Sequence, residues 1–179
     1  MRIIRGIYQR RLIHPPATLP VRPTTDLAKE SLFNVLEYYL SIENILALDL
    51  FSGTGNIGYE LVSRGASMVV AVEQNPHCAR FIYSTAESLQ MKQLKVVRSD
   101  VFGFLKRNTT LFDLVFADPP YDMKQIADLP DLVLRKEVLK PGGLFVLEHP
   151  GEFDFAQNEY FSEQRQYGKV NFSLFVFEP

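Results

Sequence analysis

The stretch Asp49-Leu50-Phe51-Ser52-Gly53-Thr54-Gly55-Asn56-Ile57-Gly58 decides the fold. It closes the apolar run Ile45–Phe51 and opens an amphipathic stretch, so its G-x-G-x-x-G spacing falls where a strand gives way to a helix. Glycine lets the backbone turn sharply and approach a ligand closely, and the first amides of the helix remain available to negative groups. The pattern predicts a nucleoside-containing cofactor over Gly53 and Gly55. Working outward, Met68–Glu73, Leu94–Ser99, Phe112–Asp118 and Gly143–His149 read as further strands buried on both faces, with helices over 56–65, 76–90, 101–107 and 125–139 between them. Phe161–Tyr167 and Val170–Phe177, separated by Gly168-Lys169, read as an antiparallel hairpin. The expected fold is therefore α/β: a single Rossmann-like domain with a seven-stranded, mostly parallel sheet and helices on both faces. Ligands in such a fold sit at the carboxyl ends of the strands.

Composition agrees with one folded core. The chain has 179 residues, 46% hydrophobic and 22% charged, which excludes disordered and collagen-like classes. No window of about 18 residues is free of charge, which excludes a membrane span. Cys78 is the single cysteine, and His14, His77 and His149 are scattered, so neither a disulfide nor zinc-type ligand spacing is present. These four read as structural, and no metal is expected. Arg5, Arg10 and Arg11 interrupt the apolar run that a secretory signal needs, which makes the cytoplasm the expected location.

The net charge of -2 argues at first against a nucleic-acid partner. It averages two unlike regions. Residues 1–25 hold Arg2, Arg5, Arg10, Arg11 and Arg22 and no acid, whereas the other 154 residues hold 14 basic and 21 acidic side chains. Four of the eleven prolines fall in His14–Pro23, which predicts an extended connector. Thr24, Thr25 or Asp26 then caps a helix through about Leu40. The division predicted is a basic arm over 1–25 and the main domain over 26–179, the arm facing either an anionic partner or the body's own acids.

Two further acids carry chemistry. Glu73 ends the second strand, twenty residues after Gly53, where an acid accepts hydrogen bonds from ribose hydroxyls. Asp118-Pro119-Pro120-Tyr121 ends the fourth. Its prolines fix the backbone and present the Asp118 carboxylate and Pro119 carbonyl as adjacent acceptors, an arrangement suited to an NH2 group. An exocyclic base amine is a poor nucleophile, and holding both hydrogens favours the form with an exposed lone pair. Tyr121 offers a flat surface for a base taken out of its stack.

These residues, with Asp100 after the third strand, resemble the class I S-adenosylmethionine-dependent methyltransferases that act on an amino nitrogen. Arg2-Ile3-Ile4-Arg5-Gly6, Arg22-Pro23-Thr24-Thr25-Asp26, Leu32-Phe33-Asn34 and Tyr167-Gly168 narrow the resemblance to the bacterial 16S ribosomal RNA guanine-N2 methyltransferases. The resemblance implies S-adenosylmethionine as cofactor, with Gly53, Gly55 and Gly58 in its loop and Glu73 at the ribose. Asp100 and Val101 would lie at the adenine, and Asp49 near the loop or the methionine ammonium. Asp118 would border both cofactor and base, and Asp118, Pro119 and Tyr121 would hold the guanine. Arg2, Arg5, Arg10, Arg11 and Arg22 would contact phosphates of 16S ribosomal RNA, within an assembling small subunit. Deleting residues 1–12 is then expected to weaken RNA binding while sparing cofactor affinity. A DNA adenine-N6 or protein-glutamine methyltransferase shares part of the pattern; a nicotinamide-dependent oxidoreductase accounts for Gly53–Gly58 and Glu73 but not for Asp118–Tyr121.

Overall fold

Apolar runs flanked by glycine and proline form the strands, and the amphipathic stretches between them return the chain over either face. A computed structural model describes residues 1–21, 25–135 and 138–178. Its elements are α1 (Asp26–Tyr39), β1 (Leu46–Leu50), α2 (Asn56–Ser63), β2 (Met68–Glu73), α3 (Pro76–Ser88), β3 (Leu94–Arg98), α4 (Val101–Arg107) and β4 (Phe112–Ala117). A 3-10 turn at Ile126–Asp128 leads into α5 (Leu129–Leu134), followed by β5 (Leu139–His149), β6 (Phe161–Tyr167) and β7 (Val170–Val176). The sheet order is β3-β2-β1-β4-β5-β7-β6. β1 to β5 run parallel, and β6 and β7 are antiparallel, as the sequence predicts. The order reverses between β1 and β4, so the carboxyl ends of these strands border the crevice where ligands bind in open α/β sheets.

Register assigns side chains to faces, because aligned residues of parallel neighbours point the same way and the side-chain period along a strand is two. Asp49 aligns with Ala71 of β2 and with Phe116 of β4, and Phe116 with Val146 of β5. Ala47, Ala71, Phe116 and Val146 share a core with Leu32 and Phe33 of α1, Ile57 and Leu61 of α2 and Ile82 of α3. The opposite face packs Leu48, Val115 and Leu147 against Val101 and Leu105 of α4 and Leu129 and Val133 of α5.

Two elements differ from the sequence reading. The helix expected over 125–139 is the 3-10 turn and the short α5, because Pro130 lacks an amide donor and is accommodated in the first turn of α5. Strand β5 starts at Leu139 rather than Gly143. Leu139 pairs with Phe112 and Leu144 with Leu114, so Lys140–Gly143 bulge out of the ladder and the helical spacing seen up to Leu139 runs into strand.

The first residues fold back on the body. Arg2 and Leu12 form an antiparallel bridge, and the Ile3 amide donates to the Arg11 carbonyl at 3.0 Å. Ile3 and Ile13 enter the core beside α1. Glu60 of α2 anchors this hairpin: its carboxylate accepts the amides of Ile4 at 2.8 Å and Arg5 at 3.0 Å, and pairs with Lys29 Nζ at 3.2 Å and Arg64 Nε at 2.9 Å. Lys29 also donates to the Arg2 carbonyl and to Asn56 Oδ1. At the far end of α2, Gly6 lies at φ +88°, where a Cβ would collide with the Ser63 carbonyl, so only glycine permits that approach. Deleting residues 1–12 would therefore strip the core and leave Glu60 with fewer donors. Such a deletion is expected to lower stability as well as to remove the exposed arginines.

Thr25 caps α1, accepting from the Ala28 amide at 3.2 Å. Thr24, the other capping candidate before Asp26, lies outside the described residues together with Arg22 and Pro23.

Candidate active site

Gly55 ends the loop after β1 as the N-cap of α2, with φ +80°, and a Cβ there would press within 2.9 Å of the Tyr59 ring. Glycine is required at that turn both for its dihedral and for space. Gly53 precedes it, also at positive φ, and Gly58 lies in α2 close to Asp49 and Leu94. Glu73 ties this loop to the next: one carboxylate oxygen accepts the Gly53 amide at 2.8 Å and the other the Asn75 amide at 2.7 Å. Each oxygen keeps a second lone pair for hydroxyl donors. Phe51, between β1 and the glycines, is held at φ 58°, a strained conformation for an aromatic residue of the kind that collects at ligand sites.

Asp49, Glu73, Asp118 and Glu148 stand on one face at the carboxyl ends of β1, β2, β4 and β5. Asp49 and Glu73 follow from the alignment of Asp49 with Ala71; Asp118 and Glu148 each lie two residues beyond the aligned pair Phe116 and Val146. The Asp118 amide donates to the Leu50 carbonyl at 3.3 Å, which fastens the end of β4 to β1. Pro119 is buried and Pro120 exposed. Tyr121 is 44% exposed, and its hydroxyl donates to Glu148 Oε1 at 3.2 Å. The structure thus brings Asp49, Gly53, Gly55, Gly58, Glu73, Asp118, Pro119 and Tyr121 to one end of the sheet.

Asp100 and Val101 stand after β3 at the start of α4. Asp100 is exposed and caps α4, accepting the Gly103 amide at 2.7 Å, while Val101 is buried. Arg2, Arg5, Arg10 and Arg11 are all exposed. Arg2 pairs with Asp26 at 3.4 Å and Arg5 with Glu37 at 3.1 Å; among the described residues no ion pair engages Arg10 or Arg11. Arg22 lies outside the described residues. His149 is structural: Nδ1–H donates to the Pro150 carbonyl and Nε2 accepts from the Ser173 hydroxyl, both at 2.8 Å.

Glu148 went unnoticed in the sequence, where one acid inside the apolar run Gly143–His149 has no motif around it. The available signal was its position at the carboxyl end of a strand next to the crevice. It is buried, and its Oε2 has no hydrogen-bond partner among the described residues; the same holds for Asp49 Oδ2.

Unpaired buried acids resist ionisation. Burial, and then the Asp118 carboxylate, push Asp49 up to about 8. Burial pushes Asp118 up to about 7, and burial followed by Asp118 pushes Glu148 up to about 8. In the unfolded chain these groups ionise near pH 4, so between about pH 4 and 8 the folded state binds more protons and stability falls as pH rises. The ligand-free protein is expected to melt at lower temperature at pH 8.5 than at pH 6.5, and Asp118→Asn is expected to flatten that slope. A melting temperature independent of pH over this interval would refute the picture of unpaired buried acids.

Residues 1–176 match the model of the family described as Conserved hypothetical protein 95. The chain is 33% identical over 152 residues to the ribosomal RNA small subunit methyltransferase D of Haemophilus influenzae, a likeness covering 83% of this chain and 78% of that protein. Among solved structures it resembles the Escherichia coli protein yhhF, with a TM-score of 0.87, 28% identity and coverage of 99% and 98%. A hypothetical protein of Thermus thermophilus gives a TM-score of 0.85, 29% identity and coverage of 98% of both chains.

Proposed function

Because the chain belongs to the Conserved hypothetical protein 95 family, with a small-subunit ribosomal RNA methyltransferase among its relatives, we propose that it methylates the exocyclic N2 amine of a guanine in 16S ribosomal RNA, using S-adenosylmethionine. The observation that carries this reading is the convergence of Asp49, Glu73 and Asp118 on one face beside the Gly53–Gly58 loop, with the rigid Pro119-Pro120 step and the exposed Tyr121 ring next to them.

The residues present fit the cofactor. A positively charged ligand suits a site whose side chains are acceptors, and Asp49 Oδ2, buried and without a hydrogen-bond partner among the described residues, is the kind of atom that a cationic ligand satisfies. When bound, S-adenosylmethionine supplies an activated methyl group on a sulfonium sulfur. Gly53 and Gly55 give the ligand access to the backbone, Glu73 takes the ribose hydroxyls, Asp100 and Val101 border the adenine, and Asp49 faces the positive charge.

Asp118 and the Pro119 carbonyl hold the two N2 hydrogens of the guanine, orienting the lone pair and stabilising the positive charge that develops on nitrogen. The Asp118 carboxyl, already inclined to carry a proton, is suited to accept the one that the methylated amine releases. Tyr121 stacks on the base. Residues 1–25 serve as the RNA-binding arm on the methyltransferase domain 26–179. Arg10 and Arg11, at the exposed turn of the hairpin, are the first candidates for phosphate contacts, ahead of Arg2 and Arg5, which share their charge with Asp26 and Glu37. Replacing Arg10 and Arg11 together by alanine is expected to lower the slope of log affinity against log salt by about 1 to 2, with cofactor affinity unchanged. An unaltered slope would remove these arginines from the RNA interface.

The test of the function is to incubate the protein and labelled S-adenosylmethionine with small subunits lacking the modification and, separately, with protein-free 16S ribosomal RNA. The product is mapped by mass spectrometry. Label on guanine N2 supports the reading; label on adenine, on another ring position or on protein contradicts it.

A further inference from the structure

Glu148 is absent from the mechanism above, yet it is a buried acid whose cost the fold does not offset. Its Oε1 accepts a 3.2 Å hydrogen bond from Tyr121, long for a hydroxyl donor, and its Oε2 has no partner among the described residues. Among the described residues no cation pairs with it. A role limited to holding Tyr121 accounts for one oxygen and requires no charge; it leaves the second oxygen unexplained.

Register shows what the group faces. Ala117 aligns with Leu147 on neighbouring parallel strands, so Asp118, just past the end of β4, stands level with Glu148, which is still held in β5 by its pairing with Phe172 of β7, and the two share one face with the strands about 4.8 Å apart. The two carboxyls and the Pro119 backbone carbonyl are three acceptors contributed by neighbouring positions at this end of the sheet. Two neighbouring acids in a dry site oppose each other's ionisation, and Asp118 is the charge that contributes to raising Glu148. Donors supplied by a ligand would relieve both.

We propose that Glu148 reads the identity of the base, its carboxylate accepting the ring N1–H of guanine while Asp118 and the Pro119 carbonyl hold the adjacent N2 amine. The inference rests on the guanine-N2 reading and deepens it. The edge of guanine carrying N1 and N2 presents three N–H hydrogens, matching these three acceptors in number. Adenine presents two amine hydrogens and, at N1, a lone pair that an ionised Glu148 would oppose, so the discrimination belongs to the carboxylate form and is measured above about pH 8, the value to which burial and Asp118 raise this acid. The discrimination comes from a buried acceptor left unpaired by the wrong base, a stronger filter than a difference in shape.

The base 2-aminopurine probes this contact: it keeps the 2-amine and lacks the N1 hydrogen together with the 6-oxo group, and the change in preference between wild type and Glu148→Gln separates the N1 contribution from that of the oxygen. Small subunits are reconstituted with guanine or with 2-aminopurine at the position that the wild-type protein methylates, and kcat/KM is measured on both for the wild type, Glu148→Gln and Tyr121→Phe. The wild type is expected to favour guanine by about 100-fold or more. In Glu148→Gln the preference is expected to fall at least about tenfold, because the amide can turn an N–H toward an unprotonated N1. Tyr121→Phe is expected to keep the wild-type preference whatever its absolute rate, which separates base reading from support of the tyrosine. Glu148→Asp, which withdraws the carboxylate and keeps its chemistry, is expected to lose rate on guanine while still disfavouring 2-aminopurine. Binding of S-adenosylhomocysteine and thermal melting verify that each variant is folded. Methylation of guanine with an unchanged preference in Glu148→Gln, or an equal loss of preference in Tyr121→Phe, overturns the inference alone. A wild-type methyl group mapped to adenine or to protein overturns the guanine reading and the inference with it.

Discussion

Replacing Asp118 by alanine is expected to lower methyl transfer to RNA about 100- to 1000-fold at saturating S-adenosylmethionine, the loss that follows removal of one well-placed polar group from a reacting centre. The same change should leave the fold intact and raise the stability of the ligand-free protein above pH 7. Asp118 is a desolvated acid pushed up to about 7, so above that pH the folded state carries an ion that the unfolded state solvates at no cost. Loss of activity combined with a higher melting temperature at pH 8 is the signature of a group retained for chemistry at the expense of stability. A variant that turns over at near the wild-type rate removes Asp118 from the centre of the mechanism. A variant that loses activity and also unfolds would instead make Asp118 a structural residue.

Glu60→Ala is expected to be the most damaging single change for stability. It removes the acceptor of two backbone amides and the counter-charge of two cations at once, and leaves Lys29, which is fully buried, without its carboxylate. Breaking a buried pair from one side costs about 3–5 kcal/mol, against a total of about 5–15 kcal/mol for a typical domain. In a chain of this size that corresponds to a fall in melting temperature of about 6–20 °C. Lys29→Met should cost markedly less, because Glu60 keeps Arg64 and both amides. Burial already lowers the proton affinity of that lysine, so its charged form is held at a disadvantage. Urea titrations of the two variants decide the point; equal losses would mean that the amides of Ile4 and Arg5 contribute little.

The parts of this molecule legible in its sequence are those whose determinants are local. β1, β2 and β4 read correctly because strands buried in the sheet are near-continuous apolar runs, and the turn after β1 because glycine at Gly53 and Gly55 meets a dihedral need within the motif itself. β3 was also located, but it is the edge strand, with Leu94 its one buried residue, rather than buried on both faces. Asp118 was legible through its two prolines. Glu148 was not: its meaning comes from β4, about thirty positions earlier, and only the register of β4 against β5 sets it beside Asp118. The hairpin of residues 1–13 was likewise hidden. Ile3 and Ile13 have no periodicity of their own, and the carboxylate that gathers the amides of Ile4 and Arg5 lies more than fifty residues away. Five arginines without an acid left open an anionic partner or the body's own acids; Arg2 and Arg5 pair with Asp26 and Glu37, and the segment around them packs into the core, which charge counting does not show.

The grip of that hairpin on α2 also sets an order of events during synthesis. Ile4, Arg5 and Tyr8 bond to Glu60 and Ser63, partners 55 or 56 positions later in the chain. Residues 1–13 leave the ribosome before α2 and must wait, with Ile3 and Ile13 exposed, while the loop after β1 and the whole of α2 are made. At about 5–20 residues per second that interval is about 3–12 s, long compared with the collapse of a chain segment. The nascent chain thus carries an unburied apolar and basic segment during that interval, and the hairpin docks only when the glycine loop and the helix that follows it have emerged.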